Sequence, residues 1–487
     1  MKRIILLFSL VLSFSACQPQ DSITFDFNES YETFKEDSLF HRRFKYNTVQ
    51  RLIDDLRNDD TFEVRKVGES IEGLSLNLVS LGQGETDIFL WSQMHGNEPT
   101  ATQAIFDILN FFAADTLQEV KEEILSKTKL HFLPMLNPDG ADTYKRRNAL
   151  GIDINRDALR LQSPEGQTLK RVRDSLKAEF GFNLHDQSTY YNAKMSDKPA
   201  TISYLAPAYN YEKEINTVRA NAMKVIVVMN NIVQQFVPGQ VGRYNDDFEP
   251  RAFGDNIQKW GTSTILIESG GYTNDPEKQE IRRLNYVSIL GAIHSIATKS
   301  YENASLEDYE KIPKNDRKLF DVKITGADYQ LFGKTYTIDI GINRNERNTE
   351  ELDDYFVEGE VVDVGDLSTY YGYRAIDGSG LRLSQGAIYR ENFNSIDDLD
   401  GLDFKALLRT GYTFVRVKEI PENLDFSPYP INIISQDFEL RSLKMKPGIP
   451  ANLYLIQDGQ AVFTVMNGFV YDYNTDITTI KNGQIYR

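Results

Sequence analysis

The sequence predicts an α/β fold, a mixed and largely parallel β-sheet with helices on both faces, followed by a C-terminal β-rich domain. Three observations support this. Short apolar runs alternate with segments of helical periodicity across residues 46–299, as in parallel strands joined by crossover helices. Residues 300–317 are charged and poor in large apolar side chains. Beyond them, residues 336–342 alternate between apolar and polar, which is typical of a half-buried strand.

The individual elements follow from the hydrophobic periodicity of each segment. A helix is expected over Tyr46–Arg57, then a strand pair over Phe62–Gly82 with Gly73 at the turn. The expected buried strands are Asp87–Trp91, Lys129–Met135, Phe180–Leu184 and Thr264–Ile267. The expected helices are Thr100–Ala114, Gln118–Lys127, Gln167–Lys177, Tyr211–Phe236 and Pro276–Lys299. In the β-rich domain, Leu453–Ile456 and Ala461–Val465 flank Asp458-Gly459, a hairpin turn signal.

The N-terminus has the features of an export signal. Lys2 and Arg3 precede the mostly apolar segment Ile4–Phe14, and the only cysteine, Cys17, follows small residues. This pattern favours a bacterial lipoprotein signal with Cys17 as the lipidated residue, and an ordinary signal peptide is the alternative. We therefore expect an exported protein, lipid-anchored in the cell envelope on its periplasmic or surface face.

Composition divides the chain into five parts. The expected parts are a signal peptide with lipobox over 1–17, a tether over 18–36, an α/β domain over 37–300, a linker over 301–318 and a β-rich accessory domain over 319–487. The net charge is −17, from 54 Lys and Arg against 71 Asp and Glu in 487 residues. Such an acidic chain argues against nucleic acid or anionic lipid headgroups as partners. The bilayer is expected to be reached only through lipidated Cys17, and oligomeric state is not predicted.

Two histidines stand where apolar strand runs end. His95 and Glu98 lie in the segment Trp91–Pro99 (WSQMHGNEP), and His185 follows another such run. The carboxyl ends of strands build the site in open α/β sheets. One imidazole and one carboxylate from a single turn, plus a distant imidazole, make a three-ligand zinc site that leaves a position for water. The H-x-x-E spacing alone also fits a solvated loop, so the prediction depends on the other motifs in the chain.

Further motifs accompany these residues in a specific order. They are Val67–Gly73 (VGESIEG), Asn137–Gly140 (NPDG), Arg146–Arg156 (RRNALGIDINR) and Ile265–Ser269 (ILIES). With these motifs, the chain resembles the carboxypeptidase A-type zinc carboxypeptidases (funnelin fold) over about Tyr46–Ser300. The resemblance implies that residues 37–300 are a zinc carboxypeptidase-like catalytic domain with one Zn²⁺, bound by His95, Glu98 and His185.

The resemblance also implies roles around the metal. Arg146 would polarise the scissile carbonyl and stabilise its developing charge. Arg147 is the alternative, because either of these neighbouring arginines could face inward. Asp153 would orient a zinc-binding histidine. Glu268 would be the general base that takes a proton from zinc-bound water.

Substrate recognition is implied by three further residues. Asn155 and Arg156 would bind the free C-terminal carboxylate of a peptide, the arginine in a bidentate manner. The family's mobile tyrosine, about twenty residues before the catalytic glutamate, has Tyr244 as its nearest candidate, although the flanking residues match poorly. Side-chain specificity is usually set just before the catalytic strand, here Glu249–Lys259. Its candidate pocket residues are Arg251, Phe253 and Asp255, and Asp255 fits a helix cap equally well.

The implied activity is that of a zinc metallocarboxypeptidase, a hydrolase that cleaves the C-terminal peptide bond. One alternative is a zinc amidase or deacylase acting on small N-acyl amino acids, because Asn155 and Arg156 would bind a carboxylate there too. The Asp186-Gln187 pair after His185 is similar to deacylase relatives of the fold. The other alternative is a catalytically degenerate envelope peptide-binding protein, which the presence of Glu268 argues against.

Overall fold

The computed structural model describes residues 26–424, 426–440, 444–473 and 483–487. Residues 26–318 form a mixed α/β region, and a β-rich region follows from residue 319. The predicted signal peptide, Cys17 and the first part of the predicted tether lie outside the described residues. Among the described helices, none combines the length and apolar character needed to cross a bilayer.

An eight-stranded sheet organises the α/β region. The strands of this region are β1 (Glu63–Glu69), β2 (Ser75–Leu81), β3 (Thr86–Ser92), β4 (Thr128–Leu133), β5 (Phe180–Asp186), β6 (Asn192–Ala193), β7 (Ile202–Leu205), β8 (Val241–Arg243), β9 (Ser263–Ser269) and β10 (Asn315–Asp316). The sheet has the order β1-β2-β4-β3-β5-β9-β7-β8, and β6 pairs with β10 separately. The central strands β4, β3, β5 and β9 are parallel. Their carboxyl ends therefore share one edge.

Helices cover both faces of this sheet. They are α1 (Phe27–Phe34), α2 (Tyr46–Leu56), α3 (Thr100–Ala113), α4 (Gln118–Leu125), α5 (Pro138–Asp142), α6 (Pro164–Leu176), α7 (Thr217–Val233), α8 (Phe253–Lys259), α9 (Gln279–Thr298) and α10 (Leu306–Lys311). Alternate residues of β3 enter different cores. Ile88 and Leu90 join the larger core with residues of α3, α7 and α9, and Phe89 and Trp91 join the smaller one with residues of α6 and α8. Both faces are thereby sealed, as buried parallel strands require.

The expected elements of the α/β region are confirmed to within a few residues at most ends. The four buried strands form β3, β4, β5 and β9, and the strand pair forms β1 and β2 with Gly73 at φ +84°. The helix expected over Tyr46–Arg57 is α2. The predicted helix over Tyr211–Phe236 starts later, at Thr217 in α7, after an Asn216 side chain that accepts from the Arg219 N–H.

The segments predicted as a tether and a linker contain packed helices. Within the predicted tether, residues 27–34 form α1, whose side chains Phe27, Tyr31 and Phe34 are buried in the larger core. Their spacing of three and four residues places them on one helical face. Within the predicted linker, α10 buries Tyr309, and Ile312 follows it into the same core. Both segments are therefore packed parts of the α/β region.

The β-rich region begins at β11 and contains two sheets. Its elements are β11 (Leu319–Leu331), β12 (Lys334–Asn348), β13 (Tyr355–Gly365), β14 (Tyr371–Asp377), β15 (Arg382–Gln385), β16 (Ala387–Ser395), α11 (Phe404–Arg409), β17 (Tyr412–Glu419), β18 (Phe426–Ser427), β19 (Asn432–Ile434), β20 (Ile449–Pro450), β21 (Leu453–Gln457), β22 (Gln460–Met466), β23 (Phe469–Asp472) and β24 (Gly483–Tyr486). One sheet has nine strands, in the order β20-β13-β12-β11-β15-β21-β22-β23 with β14 also on β11, and the other has five, β16-β17-β19-β24-β18. The predicted hairpin is confirmed as β21 and β22 around Asp458 and Gly459, both at positive φ.

Candidate metal centre and active site

The turn after β3 places His95 and Glu98 on the same side of the backbone. Gln93 adopts a positive φ of 50° and donates from Nε2 to the carbonyl of Gly96 at 2.9 Å. Its Oε1 accepts from Thr102 Oγ1 at 3.0 Å, so α3 fixes the same side chain. The Glu98 N–H closes the turn on the carbonyl of His95 at 3.1 Å. The geometry of the H-x-x-E segment is thus set before any ligand binds.

The NPDG motif supports this turn from behind. A Cβ on Gly96 would lie 2.0 Å from the carbonyl carbon of Gly140, so only glycine fits there. Asn137 accepts from the Gly140 N–H at 3.0 Å and caps α5. Its Nδ2 donates to the carbonyls of Met94 and Arg146, both at 3.3 Å. One asparagine therefore couples the metal-binding turn to the segment that carries Arg146.

His95, Glu98 and His185 come together at the carboxyl edge of the sheet. The donor atoms that these buried side chains offer lie within 4.8 Å of one another. Both imidazole Nδ1 atoms lie 2.8 Å from Glu98 Oε2, and the ring centroids are 4.8 Å apart. Two imidazole nitrogens and one carboxylate converging on one point are a donor set that suits zinc. The residues present therefore fit the ion.

Burial and charge prepare these ligands. Burial lowers the pKa of His185, which favours the neutral imidazole that a metal needs as a ligand. Burial opposes ionisation of Glu98, but the two histidines outweigh it and hold the pKa of this carboxyl well below its usual range. Burial also acts to lower the pKa of His95, yet Glu98 and the hydrogen bond to Asp153 raise it. A metal must therefore displace a proton from this pair, and its affinity depends on pH.

Asp153 joins the metal ligands to Arg146. Its Oδ1 accepts from His95 Nε2 at 3.1 Å, and its Oδ2 accepts from Arg146 Nε at 3.2 Å. Arg146 Nη1 donates to Glu98 Oε1 at 3.1 Å, and 42% of the Arg146 side chain is exposed. The adjacent Arg147 donates instead to the carbonyl of Gly151 at 2.9 Å. Of the two arginines, Arg146 is thus the one that reaches the metal ligands.

Asn155 and Arg156 lie on a 3₁₀ turn, Ile154–Arg156, that Asp153 caps by accepting from the Asn155 N–H at 3.0 Å. The Oδ1 of Asn155 accepts from the Phe253 N–H at 2.9 Å. Arg156 donates from Nη1 to the carbonyl of Asn155 at 2.7 Å, and 36% of its side chain is exposed. The capping aspartate is the one that orients His95, so the metal ligands and the predicted carboxylate-binding pair share one support.

Glu268 lies on β9 directly beside His185 on β5 in the parallel register. Ser203 of β7 pairs with it from the other side. Glu268 is 9% exposed. Burial raises the pKa of this carboxyl well above its usual value, and the nearby Glu98 and Asp186 charges raise it further. The structure therefore places a buried carboxyl group beside His185.

Tyr244 directly follows β8 and faces the same region. Its N–H donates to the carbonyl of Tyr204 at 3.0 Å, and its ring meets Tyr191 edge-on with centroids 5.9 Å apart. Burial raises the pKa of the Tyr244 phenol, and the Glu268 charge adds to this shift. The phenol is therefore neutral at physiological pH.

Sequence reasoning missed a buried pair behind the site. Lys278 Nζ donates to Asp186 Oδ2 and to the carbonyl of Ser269, both at 3.0 Å. Thr100 Oγ1 donates to the same Asp186 oxygen at 2.6 Å. The Asp186 N–H lies 3.3 Å from Glu98 Oε2 and donates to it. No local pattern joins residues this far apart in the chain, so the pair was not predictable.

The segment before β9 differs from the expected pocket in one respect. Phe253 is fully buried in the smaller core and contacts Trp260, so it does not line a cleft. Asp255 lies in the first turn of α8, whose N-cap is Ala252, and it accepts from the Glu249 N–H at 3.0 Å, so it is not a helix cap. Arg251 is 57% exposed and binds Glu249.

The β-rich region holds the loop that follows His185. Tyr190 donates from its hydroxyl to Asp321 Oδ2 at 2.8 Å, and the Leu319 N–H donates to the Tyr190 carbonyl at 3.2 Å. Tyr373 donates from its hydroxyl to the carbonyl of Thr189 at 2.6 Å. The loop between β5 and β6 is therefore fastened to β11 and β14, which places the β-rich region beside the site.

Comparisons with known proteins relate part of the α/β region to one family. Residues 49–233 match the zinc carboxypeptidase family (Peptidase_M14). The chain is 24% identical over 175 residues to Carboxypeptidase SOL1 of Arabidopsis thaliana, covering 30% of this chain and 35% of that protein. It is 31% identical over 100 residues to Carboxypeptidase B of Astacus astacus, covering 20% and 32%. The chain thus spans about a third of the length of these two relatives.

Solved structures of metallocarboxypeptidases are also similar. A metallo-carboxypeptidase from Burkholderia cenocepacia superposes on 52% of this chain and 69% of its own, with 16% identity and a TM-score of 0.42. Carboxypeptidase A from Helicoverpa armigera superposes on 53% and 74%, with 14% identity and a TM-score of 0.39. Tyr244 and Glu268 lie beyond the residues that the family model matches. Residues 49–233, which include the buried His-Glu-His cluster, therefore match the zinc carboxypeptidase family.

Proposed function

We propose that the chain is a zinc metallocarboxypeptidase that hydrolyses the last peptide bond of a peptide with a free C-terminal carboxylate. One observation carries this proposal. The buried cluster of His95, Glu98 and His185 lies beside a desolvated Glu268 and within reach of an open Arg146. A metal site, a base and a cation at one sheet edge are the groups that metal-assisted amide hydrolysis needs.

Each residue has a distinct task in this proposal. Zinc held by the three ligands would supply Lewis-acid activation of water and of the scissile carbonyl. Glu268 would accept the proton of the attacking water, and its burial makes it a stronger base than an exposed glutamate. Arg146 would donate to the carbonyl oxygen as negative charge develops there.

Three further residues would orient the substrate. Arg156 and Asn155 would bind the terminal carboxylate of the peptide, and the exposed part of the Arg156 side chain leaves its guanidinium accessible. Tyr244 would donate a hydrogen bond from its phenol to the substrate backbone, because its raised pKa keeps the phenol protonated at neutral pH. Asp153 positions both His95 and Arg146, so one carboxylate supports a metal ligand and the arginine.

The experiment is stepwise release of C-terminal residues by the purified zinc-loaded protein. Peptides that differ only in their last residue are incubated with it and followed by mass spectrometry. We expect loss of single C-terminal residues, and no loss after chelation. Glu268→Gln should retain zinc but lose at least about a hundredfold in kcat, because general-base catalysis contributes roughly 10²–10⁴-fold.

Other outcomes would favour other functions. Faster hydrolysis of small N-acyl amino acids than of peptides would favour an amidase or deacylase. Zinc binding without turnover of any substrate would favour a peptide-binding protein. Activity that persists in the metal-free protein, or full activity of Glu268→Gln, would contradict the proposed mechanism.

We also propose that the protein is exported and anchored in the cell envelope through lipidated Cys17. The support is the sequence alone: a basic start, an apolar segment and one cysteine after small residues. A Cys17→Ser variant expressed in bacteria should lose incorporation of labelled fatty acid and leave the membrane fraction. Unchanged membrane association of that variant would contradict the anchor.

A further inference from the structure

A carboxylate of the chain itself lies beside Arg156. Glu249 Oε2 lies 3.6 Å from Arg156 Nε, within ion-pair distance. The same carboxylate accepts from the guanidinium of Arg251, Nε to Oε1 at 3.1 Å and Nη2 to Oε2 at 3.0 Å. Glu249 is therefore shared between two arginines, one of which is the proposed binding group for the substrate's terminal carboxylate.

The backbone around this carboxylate is fixed. The Arg251 N–H donates to Glu249 Oε1 at 3.1 Å, and the Ala158 N–H donates to the Arg251 carbonyl at 3.1 Å. The Glu249 N–H is held by Asp255 at 3.0 Å. These bonds tie the turn at residues 249–251 both to α8 and to the segment that follows Arg156. The approach of Glu249 to Arg156 is thus set by the fold.

The two arginines hold Glu249 unequally. Arg251 engages it through a two-pronged contact, the stronger geometry for a carboxylate. Arg156 meets it at a longer distance, 3.6 Å from Nε, while its Nη1 donates to the Asn155 carbonyl. A substrate carboxylate that binds the Arg156 guanidinium would therefore lie close to the Glu249 carboxylate. Two like charges a few ångströms apart repel one another, although solvent weakens the effect at partly exposed groups.

We propose that Glu249 is a specificity-determining residue that competes with the terminal carboxylate of the substrate for Arg156, and that Arg251 limits this competition by drawing Glu249 away. This inference rests on the proposed carboxypeptidase function. It implies that the chain binds terminal carboxylates more weakly than Arg156 alone would allow. Small anions that contact only Arg156 would then bind poorly, and peptides that make additional contacts would bind well.

Kinetics of two variants test the proposal, because they should change KM in opposite directions. With a peptide that has a free C-terminus, Glu249→Gln should lower KM about three- to tenfold and leave kcat within about twofold. Arg251→Gln should raise KM about threefold, since Glu249 is then free to pair with Arg156. The double variant should behave like Glu249→Gln. A higher or unchanged KM for Glu249→Gln would overturn the proposal, and so would a lower KM for Arg251→Gln.

A matched pair elsewhere in the chain provides the control. Glu63 and Arg65 have the same two-residue spacing and form an ion pair of 3.2 Å on β1, at the far edge of the sheet. Glu63→Gln and Arg65→Gln should leave KM unchanged. If both site variants raise KM and lower thermal stability together, Glu249 has only a structural role and the proposal fails.

A binding measurement separates this proposal from the proposed function. N-benzoylglycine and its amide are titrated calorimetrically into the zinc-loaded wild type and Glu249→Gln. The acid should bind Glu249→Gln about three- to tenfold more tightly, and the amide equally to both proteins. Equal affinity of the acid for both proteins would overturn the proposal even if the wild type is an active carboxypeptidase. Conversely, a wild type without peptidase activity refutes the proposed function and leaves this binding result to decide the role of Glu249.

Discussion

Replacing Asp153 by asparagine should weaken zinc binding without unfolding the protein. The carboxylate accepts from His95 Nε2, from Arg146 Nε and from the Asn155 N–H, at 3.1, 3.2 and 3.0 Å. Asparagine is nearly isosteric but uncharged; with its oxygen toward His95, its NH₂ group faces Arg146 and cannot accept a hydrogen bond. His95 is then less well oriented and less basic, while Arg146 keeps its contacts with Glu98 Oε1 and His95 Nδ1, both at 3.1 Å.

The expected loss of zinc affinity is 10- to 100-fold, the usual effect of removing a carboxylate that orients a metal-binding histidine. This corresponds to about 1.4–2.8 kcal/mol. The assay is competition for zinc with a chromophoric chelator at pH 7.5, with melting curves as a check on folding.

Asp157→Asn is the control for this experiment. Asp157 is also a buried loop carboxylate, which accepts from the Gln162 and Ser163 N–H groups at 2.8 Å. It contacts no predicted metal ligand among its described hydrogen bonds, so its variant should lose stability and keep its zinc affinity. A folded Asp153→Asn protein with wild-type zinc affinity would refute the reasoning.

Three further predictions concern stability. Burial raises the pKa of Asp255 to about 7 from an ordinary value of 3.8. Between these values only the folded state keeps the proton, so the free energy of unfolding falls as pH rises from about 4 to 7. Asp255→Asn should therefore reduce the loss of melting temperature between pH 5 and pH 8, and an unchanged pH profile would contradict the raised pKa. Glu346 of β12 pairs with the buried guanidinium groups of Arg42 at 2.6 Å and Arg43 at 2.9 Å. Glu346→Gln should lower the free energy of unfolding by about 2 kcal/mol in a denaturant melt, because both charges lose their carboxylate, whereas Glu358→Gln, in the exposed Arg347–Glu358 pair, should lower it by less than about 1 kcal/mol. Equal losses would argue that the Glu346 pairs do not stabilise the contact between the α/β and β-rich regions. Zinc at about a hundredfold excess over its dissociation constant should stabilise the apo protein by about 2.7 kcal/mol, and a melting temperature that zinc does not raise would mean that the folded site does not bind it.

The central strands were predictable because parallel strands are buried on both faces. The runs Asp87–Trp91 and Thr264–Ile267 are apolar almost throughout, and this pattern separates them from half-buried strands. Strands β7 and β8 have only four and three residues and gave no comparable signal. Helix α1 was missed because polar residues separate Phe27, Tyr31 and Phe34, although their helical spacing was present.

The metal cluster was predictable for a similar reason. His95 follows β3 and His185 lies near the carboxyl end of β5, and these parallel strands are neighbours, so topology brings the two histidines together. The contacts of Lys278 with Asp186 and of Glu249 with Arg156 could not be predicted, since loops of variable length bring these residues together. Pairs of this kind depend on the packed structure rather than on any local pattern.

X-ray absorption at the zinc edge tests the central claim most directly. The zinc-loaded protein should hold one zinc per chain, with two imidazole nitrogens at about 2.0–2.1 Å and carboxylate oxygen in the same shell. His185→Ala should remove one imidazole contribution from the spectrum and lower the affinity. A zinc environment with no imidazole, or one that His185→Ala leaves unchanged, would contradict the account.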